Sequence, residues 1–259
     1  MNGNSAPSLN VYHPLLITHF SPFTLYHNMP FELPLFPLNT VLFPGMPLPL
    51  HIFEPRYRLM MRRCLEADRT FGVAMIVEGE EGQSDTVPAA AGCTAEILDA
   101  TPFDDGRMNL QTVGRRRFRI LSAREEDGYL IGTVEWLDDE LTTADSTEQA
   151  NRVRHNVQRY LTTLARNARV TNLTVDDLDI PDDPYALSMW VAALITLPIE
   201  QKQDLLEITS TAKRLDLEQQ LLRRAEIVQI AFAHRAQHST PELPSDESFG
   251  PYSQFMSLN

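Results

Sequence analysis

Three short stretches of this sequence combine residue types that can do chemistry. Ser210-Thr211-Ala212-Lys213 matches SxxK. On a helix that spacing sets the lysine one turn after the serine, where an amine can take a hydroxyl proton. The Ser-Asp-Asn and Lys-Thr-Gly elements that complete such a serine–lysine site are missing from the chain. Thr209, Ser210 and Thr211 instead stand where the final helix begins, a place that favours a hydroxyl cap. The stretch reads as structural, and no catalytic residue is assigned.

Gly114-Arg115-Arg116-Arg117-Phe118-Arg119 is the one dense basic run. In a strand, Arg115, Arg117 and Arg119 share one face, with Arg116 and Phe118 on the other. Arginines alternating with an aromatic can contact RNA phosphates and stack a base. They can equally pair with Glu125, Glu126 and Asp127 on the next turn, or with Glu135 or Glu96 on adjacent strands. In a net acidic protein, ion pairing is the favoured reading and nucleic-acid binding the alternative.

His51-Ile52-Phe53-Glu54-Pro55-Arg56-Tyr57 is the third stretch. Glu54 stands before a proline at a helix N-terminus, where a carboxylate gains from free amides and the helix dipole. Arg56 and Tyr57 are placed to hydrogen-bond a neighbouring strand or loop. With no second carboxylate or nucleophile nearby in sequence, the segment reads as a structural junction first and part of a binding edge second.

Other chemistries are excluded. A P-loop needs Gly-Lys-Ser/Thr, yet neither Lys202 nor Lys213 follows a glycine, and there is no GxGxxG. The two cysteines, Cys64 and Cys93, form no CxxC and read as buried thiols in a reducing compartment. The seven histidines show no HExxH and no ligand spacing, so neither a metal nor a cofactor is expected.

The elements that must position these residues fall into two textures. From Phe31 to Leu137 the pattern is β-rich. Phe31–Leu38 and Pro47–Phe53 are short apolar segments broken by proline, which predicts edge strands. Pro55 starts a helix to about Asp68, with Tyr57, Met60, Met61, Cys64 and Leu65 inward and Arg58, Arg62 and Arg63 turned away. Strands are predicted at Phe71–Val77, Ala95–Phe103, Met108–Val113, Phe118–Ala123 and Tyr129–Leu137. Asp104-Asp105-Gly106 and Glu126-Asp127-Gly128 form hairpin turns, and 79–92 is an acidic loop. After Asp138 the periodicity turns helical. Ser146 with Gln149 makes a capping box before a stripe of Val153, Val157, Tyr160, Leu161, Leu164 and Ala168. Leu187, Trp190, Val191 and Leu194 follow Asp183-Pro184. A short helix spans Glu200–Glu207, and a long one from Thr211 presents Leu217, Leu221, Ala225, Val228 and Phe232.

The 259 residues hold 22 basic and 35 acidic side chains, a net charge of −13, which argues against a sequence-independent grip on nucleic acid. The excess is spread along the chain, so bulk charge names no partner. Residues 1–30 carry no Asp, Glu, Lys or Arg, and prolines break their apolar run, so neither a secretory signal nor a membrane span is expected. Met29 is the expected start of the folded chain. Phe249, Tyr252 and Phe255 sit in a Ser- and Pro-rich tail expected to be disordered. The expected location is cytoplasmic.

Leu33-Pro34-Leu35-Phe36-Pro37-Leu38-Asn39-Thr40-Val41-Leu42-Phe43-Pro44-Gly45, followed by Leu50-His51-Ile52-Phe53-Glu54-Pro55-Arg56-Tyr57, closely resembles the N-terminal substrate-binding domain of Lon proteases. Gly106–Leu110 and Gly114–Phe118 look like that family's later signature. The resemblance implies an α+β chain: a PUA-like β pseudo-barrel over residues 31–137, a linker at 138–145 and an all-helical bundle at 146–235. A disordered extension (1–30) and tail (236–259) would flank them. It implies recognition of unfolded or degron-bearing polypeptide, with Phe36, Leu38, Phe43, Phe53, Glu54, Arg56 and Tyr57 as candidate contacts. A partner protease and self-association are left open. The chain ends where the family's motor begins, so the expectation is a standalone binding module, an adaptor or regulator without catalysis.

Overall fold

The computed structural model describes residues 29–80, 86–140, 144–167 and 179–238, with backbone alone for 144–145 and 228–238. The expected extension before Met29 and the tail beyond His238 lie outside the described residues. So do Ala168 and the side chains of Val228 and Phe232, expected in the helical stripes.

Six strands, β1 (Phe31–Leu38), β2 (Pro47–Ile52), β3 (Thr70–Glu78), β4 (Val87–Pro102), β5 (Met108–Glu126) and β6 (Tyr129–Trp136), form one sheet in the order β2-β5-β4-β3-β1-β6. A further β5–β6 pairing closes it into a barrel, with β2 attached outside the ring. Leu33, Leu35, Phe118 and Val134 form a buried cluster inside it. Gly92 belongs to this packing: a Cβ there would lie 2.4 Å from the Val73 carbonyl oxygen, so only a hydrogen fits.

The prolines of β1 do not make it an edge strand, contrary to the expectation. Phe31–Leu35 pairs with β6 and Leu35–Leu38 pairs with β3 in parallel. Pro34 and Pro37 therefore each have one strand neighbour, and the missing N–H can face the other side. β2, bearing Pro47 and Pro49, pairs with β5 alone. Asp127 (φ 53°) and Gly128 (φ 83°) form the two-residue turn between β5 and β6, with both residues left-handed, as a twisted hairpin prefers.

Two strand boundaries differ from the sequence reading. β4 begins at Val87, inside the expected acidic loop. Met108–Val113 and Phe118–Ala123 are one strand, β5, carried through Gly114 by a bulge. Cys93 faces Arg117 while Ala95 faces Gly114, and Thr94 Oγ1 holds the extra residue by accepting from Arg116 N (3.0 Å) and donating to Arg116 O (3.1 Å).

Five helices complete the chain: α1 (Pro55–Glu66), α2 (Ala144–Asn167), α3 (Pro184–Leu194), α4 (Ile199–Glu207) and α5 (Thr211–His238). Contacts divide the residues into a β unit, up to Leu42 and Pro47–Asp138, and a helical unit of Phe43–Met46 with everything from Asp139. Asp183 caps α3 by accepting from Ala186 N (2.8 Å), with Pro184 behind it. α2 is already helical at Ala144, so Ser146 sits within its first turn rather than at the cap. Val153, Val157, Leu187, Val191, Leu215 and Leu222 lie in the helical core. α5 buries a face different from the one expected. Arg214, Leu215, Glu218 and Leu222 are inside, while Leu217, Leu221 and Ala225 are half-buried.

Candidate functional site

Helix α1 decides where a ligand can go, because its faces meet different surroundings. Tyr57, Met60, Met61 and Cys64 are buried, at the three- and four-residue spacing that makes one face. Burial pushes the Cys64 thiol, and likewise Cys93, up to about 12, so neither is a nucleophile at neutral pH.

Glu54, Arg56 and Tyr57 form a mutually bonded junction. Glu54 occupies the helix N-cap, as expected, but its carboxylate makes no cap hydrogen bond to the free amides. It accepts instead from Arg56 Nε (3.0 Å). Arg56 also donates to the Gly128 carbonyl (3.4 Å) and lies 4.7 Å over the Tyr57 ring, which meets Phe36 edge-on at 4.4 Å. The crevice beside Arg56 and Tyr57 measures about 10 Å³, room for a water and no more. Phe36, Phe43 and Tyr57 are buried and Leu38 is half-buried. Of the apolar candidates, Phe53 alone is strongly exposed, at 60%.

Pro55, Arg58, Arg62 and Leu65 form another stripe of α1 and line a cavity of about 530 Å³. Its other walls come from the β4–β5 hairpin, chiefly Ala100, Pro102 and Met108. The size falls in the range of small-ligand and side-chain pockets. The hairpin tip is held in shape by Asp105, whose carboxylate accepts from Arg107 N (3.0 Å) and Nε (2.7 Å). Those bonds hold the Asp105 carboxyl below its ordinary range. Arg58 Nη1 fastens the tip to α1 through the Asp105 carbonyl (2.7 Å).

Exposed aromatics flank the lining residues in sequence. Phe53 precedes them by two positions and stacks on His51 at 6.2 Å. Phe103 follows Pro102, meets His51 edge-on at 5.9 Å, and carries the Arg107 guanidinium at 5.7 Å. His51 Nδ1 is fixed 2.6 Å from Asn109 Oδ1. Sequence reading placed Arg58 and Arg62 on a solvated face. The 55-58-62-65 spacing was the signal that they share a stripe with two apolar residues.

The basic run does not form one exposed row. Arg115 donates to Glu96 (2.5 Å) and Arg119 to Glu135 (3.2 Å), while Arg117 is fully buried. Arg116 binds Asp138 (2.8 Å) and covers Trp136 at 4.3 Å. The expected acidic turn residues serve other arginines: Glu126 pairs with Arg124, and Asp127 with Arg63.

The SxxK pair is split by burial. Ser210 is inside and Lys213 is exposed. Around it lies a buried polar network. Arg214, with no exposed surface, donates to Asp139 (2.7 Å), Ser188 Oγ (2.6 Å) and the Ile208 carbonyl (2.5 Å). The Thr211 hydroxyl bridges to Asp139, and Ser188 Oγ donates to Glu218 (2.8 Å). Burial raises the Glu218 carboxyl well above its ordinary value, outweighing the pull of Arg214. No described group of three His, Cys, Asp or Glu residues could hold a metal ion, and no described helix is long and apolar enough to cross a membrane.

Comparison with known proteins adds a family to this geometry. Residues 32–224 match the model of the ATP-dependent protease La (LON) substrate-binding domain. The Lon protease of Escherichia coli K12 is 26% identical over 191 residues, 71% of this chain and 24% of that protein. The Lon protease of Lawsonia intracellularis is 28% identical over 195 residues, 73% of this chain and 23% of that protein. The chain thus spans about a quarter of the length of these relatives. A Lon N-terminal domain protein from Xanthomonas campestris is similar in structure, with TM-score 0.52, 30% identity, and coverage of 72% of this chain and 96% of that one. The N-terminal domain of Mycobacterium avium complex Lon protease shares the fold at TM-score 0.57 and 19% identity, covering 74% of this chain and 98% of that one.

Proposed function

Because this chain belongs to the Lon substrate-binding domain family, we propose that it binds unfolded or degron-bearing polypeptide in the groove between α1 and the β4–β5 hairpin, as a non-catalytic adaptor or regulator. The observation that carries this reading is the cavity itself. It has apolar walls from Pro55, Leu65, Ala100, Pro102 and Met108, with the exposed rings of Phe53 and Phe103 close by in sequence. An extended chain can bury side chains there while its backbone stays solvated. The match covers a substrate-binding domain, and these residues supply no P-loop and no serine–lysine dyad, so ATP hydrolysis and peptide cleavage are not carried over. Two buried free thiols suit the reducing cytoplasm, where the proposal places this activity.

Titrating the full chain with a reduced, carboxymethylated model protein, followed by fluorescence anisotropy, tests the reading. Micromolar binding is expected, since ordering a flexible chain weakens affinity. Phe53→Ser should weaken it, while Phe36→Leu should act on stability alone. No binding at high concentration overturns the proposal. Co-purification of a full-length protease from native cells tests the adaptor role.

A further inference from the structure

The arginines of the β unit sort into two groups, and the sorting coincides with the cavity. Seven of them have a carboxylate partner: Arg56 has Glu54, Arg63 has Asp127, Arg107 has Asp105, Arg115 has Glu96, Arg116 has Asp138, Arg119 has Glu135, and Arg124 has Glu32 and Glu126. Arg69 is spent on the carbonyls of Ile97 (2.9 Å) and Leu98 (3.4 Å), and Arg117 is buried. Arg58 and Arg62 remain. Neither forms a salt bridge with a described carboxylate, the Asp105 carboxylate meeting Arg58 through charge alone, and both line the 530 Å³ cavity. In a chain with 35 acidic side chains, these two neighbouring guanidiniums stand without a salt bridge at the wall of an apolar groove.

The two positions are four residues apart on α1, so the charges stand one above the other along the groove wall. Arg58 is held in place by its bond to the Asp105 carbonyl, which leaves most of its five donors for a ligand. Arg62 is exposed and makes no hydrogen bond or ion pair with a described residue. Apolar walls on the opposite side keep water from part of the site, which strengthens any charge pair formed there.

We propose that the groove selects polypeptide segments in which an apolar side chain is followed directly by an acidic one. The apolar group enters between Leu65, Pro102 and Met108, and the carboxylate meets Arg58 and Arg62. This rests on the polypeptide-binding reading and names its substrate class. Selection is local. The rest of the β unit is a surface of neutralised pairs on a chain of net charge −13, so acidic residues elsewhere on the ligand gain nothing.

The test uses the full chain and short dye-labelled Gly/Ser peptides whose centres read Phe-Asp, Phe-Asn or Phe-Lys. Phe-Asp should bind roughly three- to tenfold tighter than Phe-Asn, a gap that added salt closes. Arg62→Gln removes no described contact and should narrow the gap, and Arg58→Gln/Arg62→Gln should abolish it, leaving Phe-Asp no tighter than Phe-Asn. Arg62→Glu should shift the preference to Phe-Lys, which damage to the fold would not do. Equal affinity for the three peptides, or a gap that survives the double substitution, overturns the proposal. If that happens while the carboxymethylated model protein still binds, carboxylate selection falls and polypeptide binding stands. If the model protein also fails to bind, both fall.

Discussion

Arg62 in the β unit and Arg214 in the helical unit are the same residue type under opposite conditions. Arg62 is exposed and has no described partner, which water makes cheap. Arg214 has no exposed surface and is bonded to Asp139, Ser188, Ile208 and Thr211. Inside a protein an unpaired charge costs several kcal/mol, so burial is tolerated only with the donors used up. The contrast teaches where to look for function: a saturated buried arginine holds a fold together, and an unsaturated one beside an apolar cavity is free to hold something else.

The largest expected effect comes from breaking the buried side. Arg214→Ala removes the buried cation paired with the Asp139 carboxylate, which is 10% exposed, and should cost about 3–5 kcal/mol by urea unfolding. A loss near zero would mean that water enters and the network is not the hinge of the helical core. Glu218 is the next lever. Below the ordinary glutamate range, native and unfolded chains both hold its proton and it adds no pH slope. As pH rises above about 4.3, the unfolded chain releases the proton while buried Glu218 keeps it. Stability then falls by up to about 1.4 kcal/mol per pH unit until the raised native value is reached. Glu218→Gln should remove that slope, and unfolding curves at a series of pH values would show it. Thr211→Val deletes a bridging hydroxyl from the same network and should cost about 1–2 kcal/mol. At the exposed end, Arg119→Ala breaks a pair with Glu135 that is half in water and should cost under about 1 kcal/mol. Arg62→Gln closes the series with a stability change within about 0.5 kcal/mol. If it unfolds the protein instead, the comparison fails.

Much of the scaffold was legible beforehand because local rules dominate there. Asp-Gly between β-prone runs made the β5–β6 turn, since that dipeptide tolerates the left-handed backbone a tight hairpin needs. Pro55 and Asp183-Pro184 marked helix starts by the same kind of local sterics. The errors arose where a residue's neighbours come from distant sequence. The prolines of β1 looked like edge markers, yet they sit in a strand whose halves pair on different sides. The row Arg115, Arg117, Arg119 looked like one exposed face, yet Arg117 is fully buried between two arginines that meet carboxylates.

The candidate site shows the same division. Apolar side chains near the Glu54–Tyr57 junction were visible as a signature, but their type does not reveal exposure, and all but Phe53 are buried or half-buried. The groove needed the β4–β5 hairpin brought against α1, a pairing that no spacing within either segment specifies. By itself, then, the sequence determined the family resemblance and the α+β order of elements, because motifs, periods and turns are local. Only the tertiary structure decided which arginines are neutralised and which face a cavity, because ion pairing and burial depend on what the folded chain brings within a few ångströms.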